Sequence, residues 1–217
     1  MLHNLVIRPA NDTDNYSEIA KLIMLTDPYI YPVGFGENGL ITLSNMIANT
    51  DTVFGYNHII LALSENAIVG QMVILRMNTA MPINPDDYFS QNPSLSSPFC
   101  HIINNYCNHL FDYITDENEV YVTCVSVLPE ARGLGVGFTL MKHLISLYYN
   151  RQIKLHVLAD NTSAISLYKR CGFSIHGEAV TGYSYTGDPP LCYEMIRLPE
   201  AGLLNVYPQQ NISKLDC

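Results

Sequence analysis

The order of elements in the sequence predicts an α/β fold with at least one parallel crossover, and three observations carry that prediction. Two branched apolar runs, residues 58–63 and 67–77, are joined by Ser64-Glu65-Asn66, the pattern of a hairpin. A β-branched run over residues 119–128 feeds through a glycine-rich turn into a helical pattern. A strand, a short helix and two final strands then occupy residues 153–198.

Taken in order, residues 3–8 read as a strand stopped by Pro9, which has no ladder donor. Asp14 is placed to cap a helix that carries Ile19, Leu22 and Ile23 on one face and ends before Pro28. Residues 27–38, with Pro28, Tyr29, Tyr31, Pro32, Gly34, Phe35 and Gly36, have the chemistry of an aromatic-rich loop; Leu40, Leu43 and Ile47 mark a second helix. After the hairpin, residues 78–118 contain Pro82, Pro85, Pro93 and Pro98. There Ile102, Ile103, Tyr106, Leu110 and Tyr113 then recur at spacings of three and four, a helical insertion. The strand of residues 119–128 stops at Pro129; the helix of residues 138–149 turns Leu140, Leu144, Leu147 and Tyr148 inward. Residues 153–159 form a strand, 162–170 a helix ended by Gly172, and 173–180 and 191–198 the last strands. Residues 1–198 are expected to form one domain with the insertion inside it, and residues 199–217 a C-terminal extension.

The chain has 217 residues, 48% hydrophobic and 14% charged, enough apolar surface to bury a core and too few charges for wholesale disorder. Its net charge of −9 disfavours nucleic acid and anionic membrane surfaces as partners. Met1-Leu2-His3-Asn4 lacks a basic and apolar leader, and no apolar run reaches the ~18 residues of a membrane span, so a cytoplasmic location is expected. Six cysteines without a Cys-x-x-Cys pair suit reduced thiols. Cys100, His101, Cys107 and His109 match no common zinc spacing, and no metal is expected.

The chemistry concentrates in Arg132-Gly133-Leu134-Gly135-Val136-Gly137, between a strand and a helix. Glycines let successive N–H groups line a concave anion site at the positive end of the helix, which suits a phosphate or pyrophosphate. A nucleotide P-loop would need a lysine after the last glycine, where Phe138 stands; a dinucleotide Gly-x-Gly-x-x-Gly fails from every starting glycine. Arg-x-x-Gly-x-Gly remains, met by Arg132, Gly135 and Gly137.

With the run from Val125-Ser126-Val127-Leu128-Pro129 to Gly137, the run from Leu155-His156-Val157 through Asn161 and Tyr168-Lys169-Arg170-Cys171-Gly172-Phe173, and the opening Ile7-Arg8-Pro9-Ala10 with Asp14, the sequence resembles the GNAT superfamily of acyl-CoA N-acyltransferases. The resemblance covers about residues 3–198 apart from the insertion. It implies a mixed, mostly antiparallel central sheet of about six to seven strands flanked by helices, with a splayed parallel pair that binds coenzyme A. It also implies transfer of an acetyl group from acetyl-CoA to a primary amine on a small molecule or peptide, by direct attack in a ternary complex. A non-catalytic CoA-binding sensor and a transferase of a longer acyl group are the alternatives. The exposed final strands and the tail leave room for a homodimer.

Residue roles follow from the same resemblance. Arg132, Gly133, Leu134, Gly135, Val136 and Gly137 would hold the pyrophosphate, and Val125 and Val127 would offer main-chain bonds to the pantetheine arm. An N–H of Cys124 or Val125 would face the thioester carbonyl, although Cys124 also reads as a small buried thiol. Asn161 would cap its helix and touch the cofactor. Because an alkyl ammonium has a pKa of about 10.4, a base is needed, and resemblance to the histone-acetyltransferase branch implies Glu119. Tyr168 would touch the cofactor and give a proton to the departing thiolate, or be a core tyrosine. Tyr29, Tyr31, Phe35 and Tyr183 fall where the acceptor site is expected. His156 reads as a satisfied core or edge histidine.

Overall fold

The computed structural model describes residues 4–27, 30–77, 84–104, 114, 116–180 and 191–200. Strands β1 (Leu5–Pro9), β2 (Ile59–Ser64), β3 (Ala67–Arg76), β4 (Glu119–Val127), β5 (Gln152–Leu158), β6 (Ser174–Val180) and β7 (Leu191–Arg197) form one sheet in the order β1-β2-β3-β4-β5-β7-β6. All neighbours are antiparallel except β4 and β5, which run parallel and are joined by a helical crossover. This is the mixed, mostly antiparallel α/β sheet that the sequence resemblance implies.

Side-chain alternation gives the sheet two apolar faces. On one, Leu61, Val73, Leu75 and Tyr121 pack with Ile19, Leu22 and Ile23 of α1 (Tyr16–Met24) and with α2 (Ile30–Phe35) and α3 (Gly39–Ala48). On the other, Ile60, Met72, Ile74, Val120 and Val122 pack with Leu140, Met141 and Leu144 of a long helix and with Tyr168 of a later one.

Two local expectations change. Asn15, not Asp14, caps α1, its Oδ1 accepting from the N–H groups of Ser17 and Glu18 at 3.1 and 3.4 Å. Asp14 instead accepts two bonds from the Arg8 guanidinium, at 2.8 and 2.6 Å, which ties β1 to the start of α1. The segment read as loop contains the short helix α2. Pro32 sits in its first turn, where an N–H would have no helical acceptor anyway, Asp27 Oδ1 accepts from Ile30 N at 2.9 Å, and Gly36 at φ +67° ends it. Burial of Tyr31 and Phe35 overrides the weak local propensity.

The insertion contains α4 (Pro85–Gln91), capped by Asn84, and helical residues 100–104. Tyr88, Phe89, Ile102 and Ile103 join the core beside α2, and a Cβ on Gly34 would overlap Ile103. Tyr106, Cys107, His109, Leu110 and Tyr113 of the insertion lie outside the described residues, as do Tyr29, Tyr183 and the tail from residue 201. The crossover helix is α5 (Val136–Leu147) and the later helix α6 (Thr162–Arg170). Among the described residues no helix is long and apolar enough to cross a membrane.

Candidate active site

The parallel pairing of β4 and β5 lasts only from Glu119↔Gln152 to Val122↔Leu155. Past that point β5 pairs with β7 alone, while β4 continues to Val127 against β3, so the two strands part and leave a gap. Just where they part, β4 carries a bulge. Thr123 is opposite Val73 and Ser126 opposite Gln71, so Cys124 and Val125 stand against the single residue Met72. Cys124 has φ +52°, a left-handed conformation rare for a residue with a Cβ.

Buried side chains hold this bulge. Gln71 Nε2 donates to the Cys124 carbonyl and, at 3.2 Å, to Ser126 Oγ. Tyr31 Oη lies 3.0 Å from Cys124 Sγ, and burial pushes the thiol pKa up. Cys124 is therefore a neutral, packed thiol. Tyr31 and Phe35 are fully buried, Tyr31 against Cys124 and Phe35 among the rings of Tyr31, Phe54 and Phe89.

At the far end of β4 lies the glycine loop. Gly133 at φ +76° and Gly135 at φ +90° adopt a backbone that other residues resist, and a Cβ at either would meet nothing within 4 Å. That open cradle sits on the first turn of α5, whose leading N–H groups lack helical acceptors, and it fits a pyrophosphate. Arg132 Nε donates to the Val127 carbonyl at 3.1 Å, folding the loop back on β4. Leu134 is exposed, Val136 is buried under the loop, and Gly137 brings α5 against Leu167 of α6. Asn161 caps α6, its Oδ1 accepting from Ala164 N at 3.1 Å. Arg170 of α6 lies over the Phe138 ring, 5.1 Å from its centroid, which brings positive charge to the same end.

Tyr168 of α6 is buried on the α5 face of the sheet, 6.0 Å from Phe173 ring to ring, and burial pushes its phenol up. The opposite face of the gap carries a further pair of titratable side chains. Tyr121 Oη and His156 Nδ1 are 3.0 Å apart. Burial lowers the imidazole pKa; Glu194, its cross-strand partner on β7, raises it and Lys154 lowers it. Glu119 lies on that face too, but Lys154 Nζ is 2.6 Å from its Oε1 and Gln152 Nε2 donates to the same oxygen at 3.0 Å. Tyr121, His156 and Gln71 are the members that sequence reasoning did not assign. The available signal was the period-two run of polar residues, Glu119/Tyr121 and Lys154/His156, in strands otherwise apolar.

A family model described as Acetyltransferase (GNAT) family matches residues 46–173, more than half of the chain. The chain belongs to the GNAT acetyltransferase family. Among curated relatives, a 5-NmdU N-acetyltransferase of Pseudomonas phage PaMx11 is 34% identical over 64 residues, 30% of this chain and 46% of that one. A mycothiol acetyltransferase of Geodermatophilus obscurus is 43% identical over 67 residues, 29% of this chain and 21% of that one. The matches thus span less than half the length of either relative. Among solved structures, an N-acetyltransferase from Staphylococcus aureus Mu50 superposes with a TM-score of 0.64 at 21% identity, over 88% of this GNAT chain and 99% of its own, which shows the shared fold.

Proposed function

We propose that this protein is an N-acetyltransferase that moves an acetyl group from acetyl-CoA to a primary amine, the two substrates bound together. The observation that carries the reading is the gap between β4 and β5, with an anion cradle at one end and neutral proton-handling groups on its two faces. Family membership and relatives named as N-acetyltransferases support it.

Residues 132–137 would hold the pyrophosphate, Asn161 and Tyr168 would flank the cofactor from α6, and the β4 edge at Val125 and Val127 would hold the pantetheine. Acetyl-CoA, when bound, supplies the acetyl group as a thioester. On the acceptor face, Tyr121 and His156 take up the proton that the ammonium must lose, and it ends on the imidazole. We assign Glu119 to pairing Lys154. On the cofactor face, the Tyr168 phenol gives its proton to the departing thiolate. The chemistry requires no metal.

The test is thiol release from acetyl-CoA with a panel of amines spanning aminoglycosides, polyamines, amino acids and peptide N-termini. At least one amine should release thiol in step with its own acetylation, and Tyr168→Phe should lower that turnover by roughly 10²–10⁴-fold with CoA affinity kept. CoA binding with no thiol release for any amine would instead mark a non-catalytic CoA-binding module.

A further inference from the structure

We infer that Gln71 is a positioning residue for the transfer: by holding the Cys124 carbonyl it aims the Val125 N–H into the gap between β4 and β5, and so fixes which backbone donor meets the thioester carbonyl. The inference rests on the acetyltransferase reading above and identifies the donor within it.

The argument is one of peptide geometry. No peptide bond among the described residues is cis, so the Cys124 C=O and the Val125 N–H, which share one peptide plane, point in opposite directions. Gln71 is fully buried on β3, one position from Met72 and two from Val73, which face opposite cores; alternation therefore places Gln71 with Val73 on the α1–α3 side, away from α5. Its Nε2 grips the Cys124 carbonyl, so that carbonyl points toward β3. The Val125 N–H therefore points away from β3, toward the side on which β5 has left the ladder. A β-bulge leaves its extra residue out of the ladder, and the bond from Gln71 holds the carbonyl of the peptide at that point.

The sequence context suits a dedicated role. Both protons of the Gln71 amide are used on β4, one on the Cys124 carbonyl and one on Ser126 Oγ, on either side of Val125. Its Oε1 is buried with no hydrogen-bond partner among the described residues. A leucine or valine would fill this core position without that orphan oxygen, so the amide is retained against a desolvation cost. Tyr31 at Cys124 Sγ pins the side chain of the same residue from the acceptor face.

The experiment reads the carbonyl directly. Acetyl-CoA labelled isotopically at the thioester carbonyl is bound to the wild-type protein and its C=O stretch is recorded by difference infrared spectroscopy. The stretch should fall below its value in water, because a fixed N–H polarises the bond more than mobile solvent does. In Gln71→Met, which keeps the shape and removes the donor, the stretch should return toward the solution value with acetyl-CoA still bound. The same variant should lose roughly 10²-fold in kcat with the KM for the amine unchanged. Should Gln71→Met not fold, Gln71→Glu provides the reading: its neutral carboxyl can donate to Cys124 and its carboxylate cannot, so the lowered stretch should appear at acidic pH and vanish at alkaline pH, whereas the wild type keeps it at both. A wild-type stretch in either variant where the donor is gone, or no lowering in the wild type with acetyl-CoA bound, overturns the role of Gln71. Failure of the wild type to bind acetyl-CoA refutes the acetyltransferase reading itself.

Discussion

Replacing Glu119 and His156 one at a time separates a structural carboxylate from a base. The side chains of Glu119 and Lys154 are 11% and 10% exposed and their charged atoms are 2.6 Å apart, so Glu119→Gln leaves a nearly buried ammonium without its counter-charge. Breaking a buried pair from one side costs about 3–5 kcal/mol. For a chain of this size, at roughly 2–4 °C per kcal/mol, Tm should fall by about 6–20 °C. Turnover per folded molecule should stay within about threefold, since in the proposed mechanism no proton passes through Glu119. His156→Gln should behave oppositely. It removes one hydrogen bond to Tyr121, about 1 kcal/mol, but it also removes the proposed proton acceptor and should lower kcat by roughly 10²–10⁴-fold. Thermal melts and initial rates of thiol release at saturating acetyl-CoA measure both quantities. A double variant, Glu119→Leu with Lys154→Met, should recover most of the lost Tm, because an apolar pair can replace a buried ionic one at little net cost. If Glu119→Gln abolished turnover at unchanged Tm while His156→Gln stayed active, Glu119 would be the base and the reasoning refuted.

Three further outcomes follow from the geometry. The acid limb of kcat/KM should lie below the ordinary histidine value, because burial lowers the His156 pKa; Glu194→Gln, which removes a raising influence, should move that limb to still lower pH. His58 is buried and its pKa is lowered to about 4, first by desolvation and then by Arg76. The unfolded chain therefore takes the proton first, and about 3 kcal/mol of stability should be lost as pH falls from ~6.5 to about 4, a loss that His58→Gln should abolish in Tm measured against pH. Gly135→Ala adds a Cβ into open space at φ +90°, so Tm should drop only by roughly 2–8 °C from about 1–2 kcal/mol of backbone strain. CoA affinity, read by titration calorimetry, should nevertheless fall tenfold or more, and retained affinity would mean that the loop does not bind the pyrophosphate.

Much of the fold was legible because it is written in local periodicity. The hairpin of β2 and β3, the strand ending at Pro129 and the helix from Thr162 to Arg170 lie within one or two residues of their expected places. The anion loop was legible for the same reason, being six consecutive residues whose glycines announce the backbone they need. What could not be read lies across the sheet. Tyr121 and His156 are 35 residues apart in sequence, and only the register Tyr121↔Lys154, with β5 continuing two residues further, puts them on one face beside the gap. Gln71 is 53 residues from the carbonyl it holds. The short helix α2 was hidden because Pro32, Gly34 and Gly36 signal a turn, while the burial of Tyr31 and Phe35 that decides the matter is a tertiary effect.

The same cross-sheet arrangement favours an imidazole over a carboxylate as the proton acceptor. Desolvation favours the neutral form of any titratable group. For a phenol that means a raised pKa and a retained proton, and for an imidazole a lowered pKa and one unprotonated ring nitrogen. Burial of Tyr168 on one face and His156 on the other therefore leaves the proposed acid protonated and the proposed base unprotonated, with no charged partner needed at either. A carboxylate in the place of His156 would be driven toward its acid form and could not take a proton unless a cation stood beside it. Such a cation would in turn repel the ammonium that must approach. Lys154 is that cation here, and it is already engaged by Glu119. In the proposed mechanism the ion pair and the proton acceptor thus occupy alternate positions on one strand face, Lys154 and His156, and neither can do the work of the other.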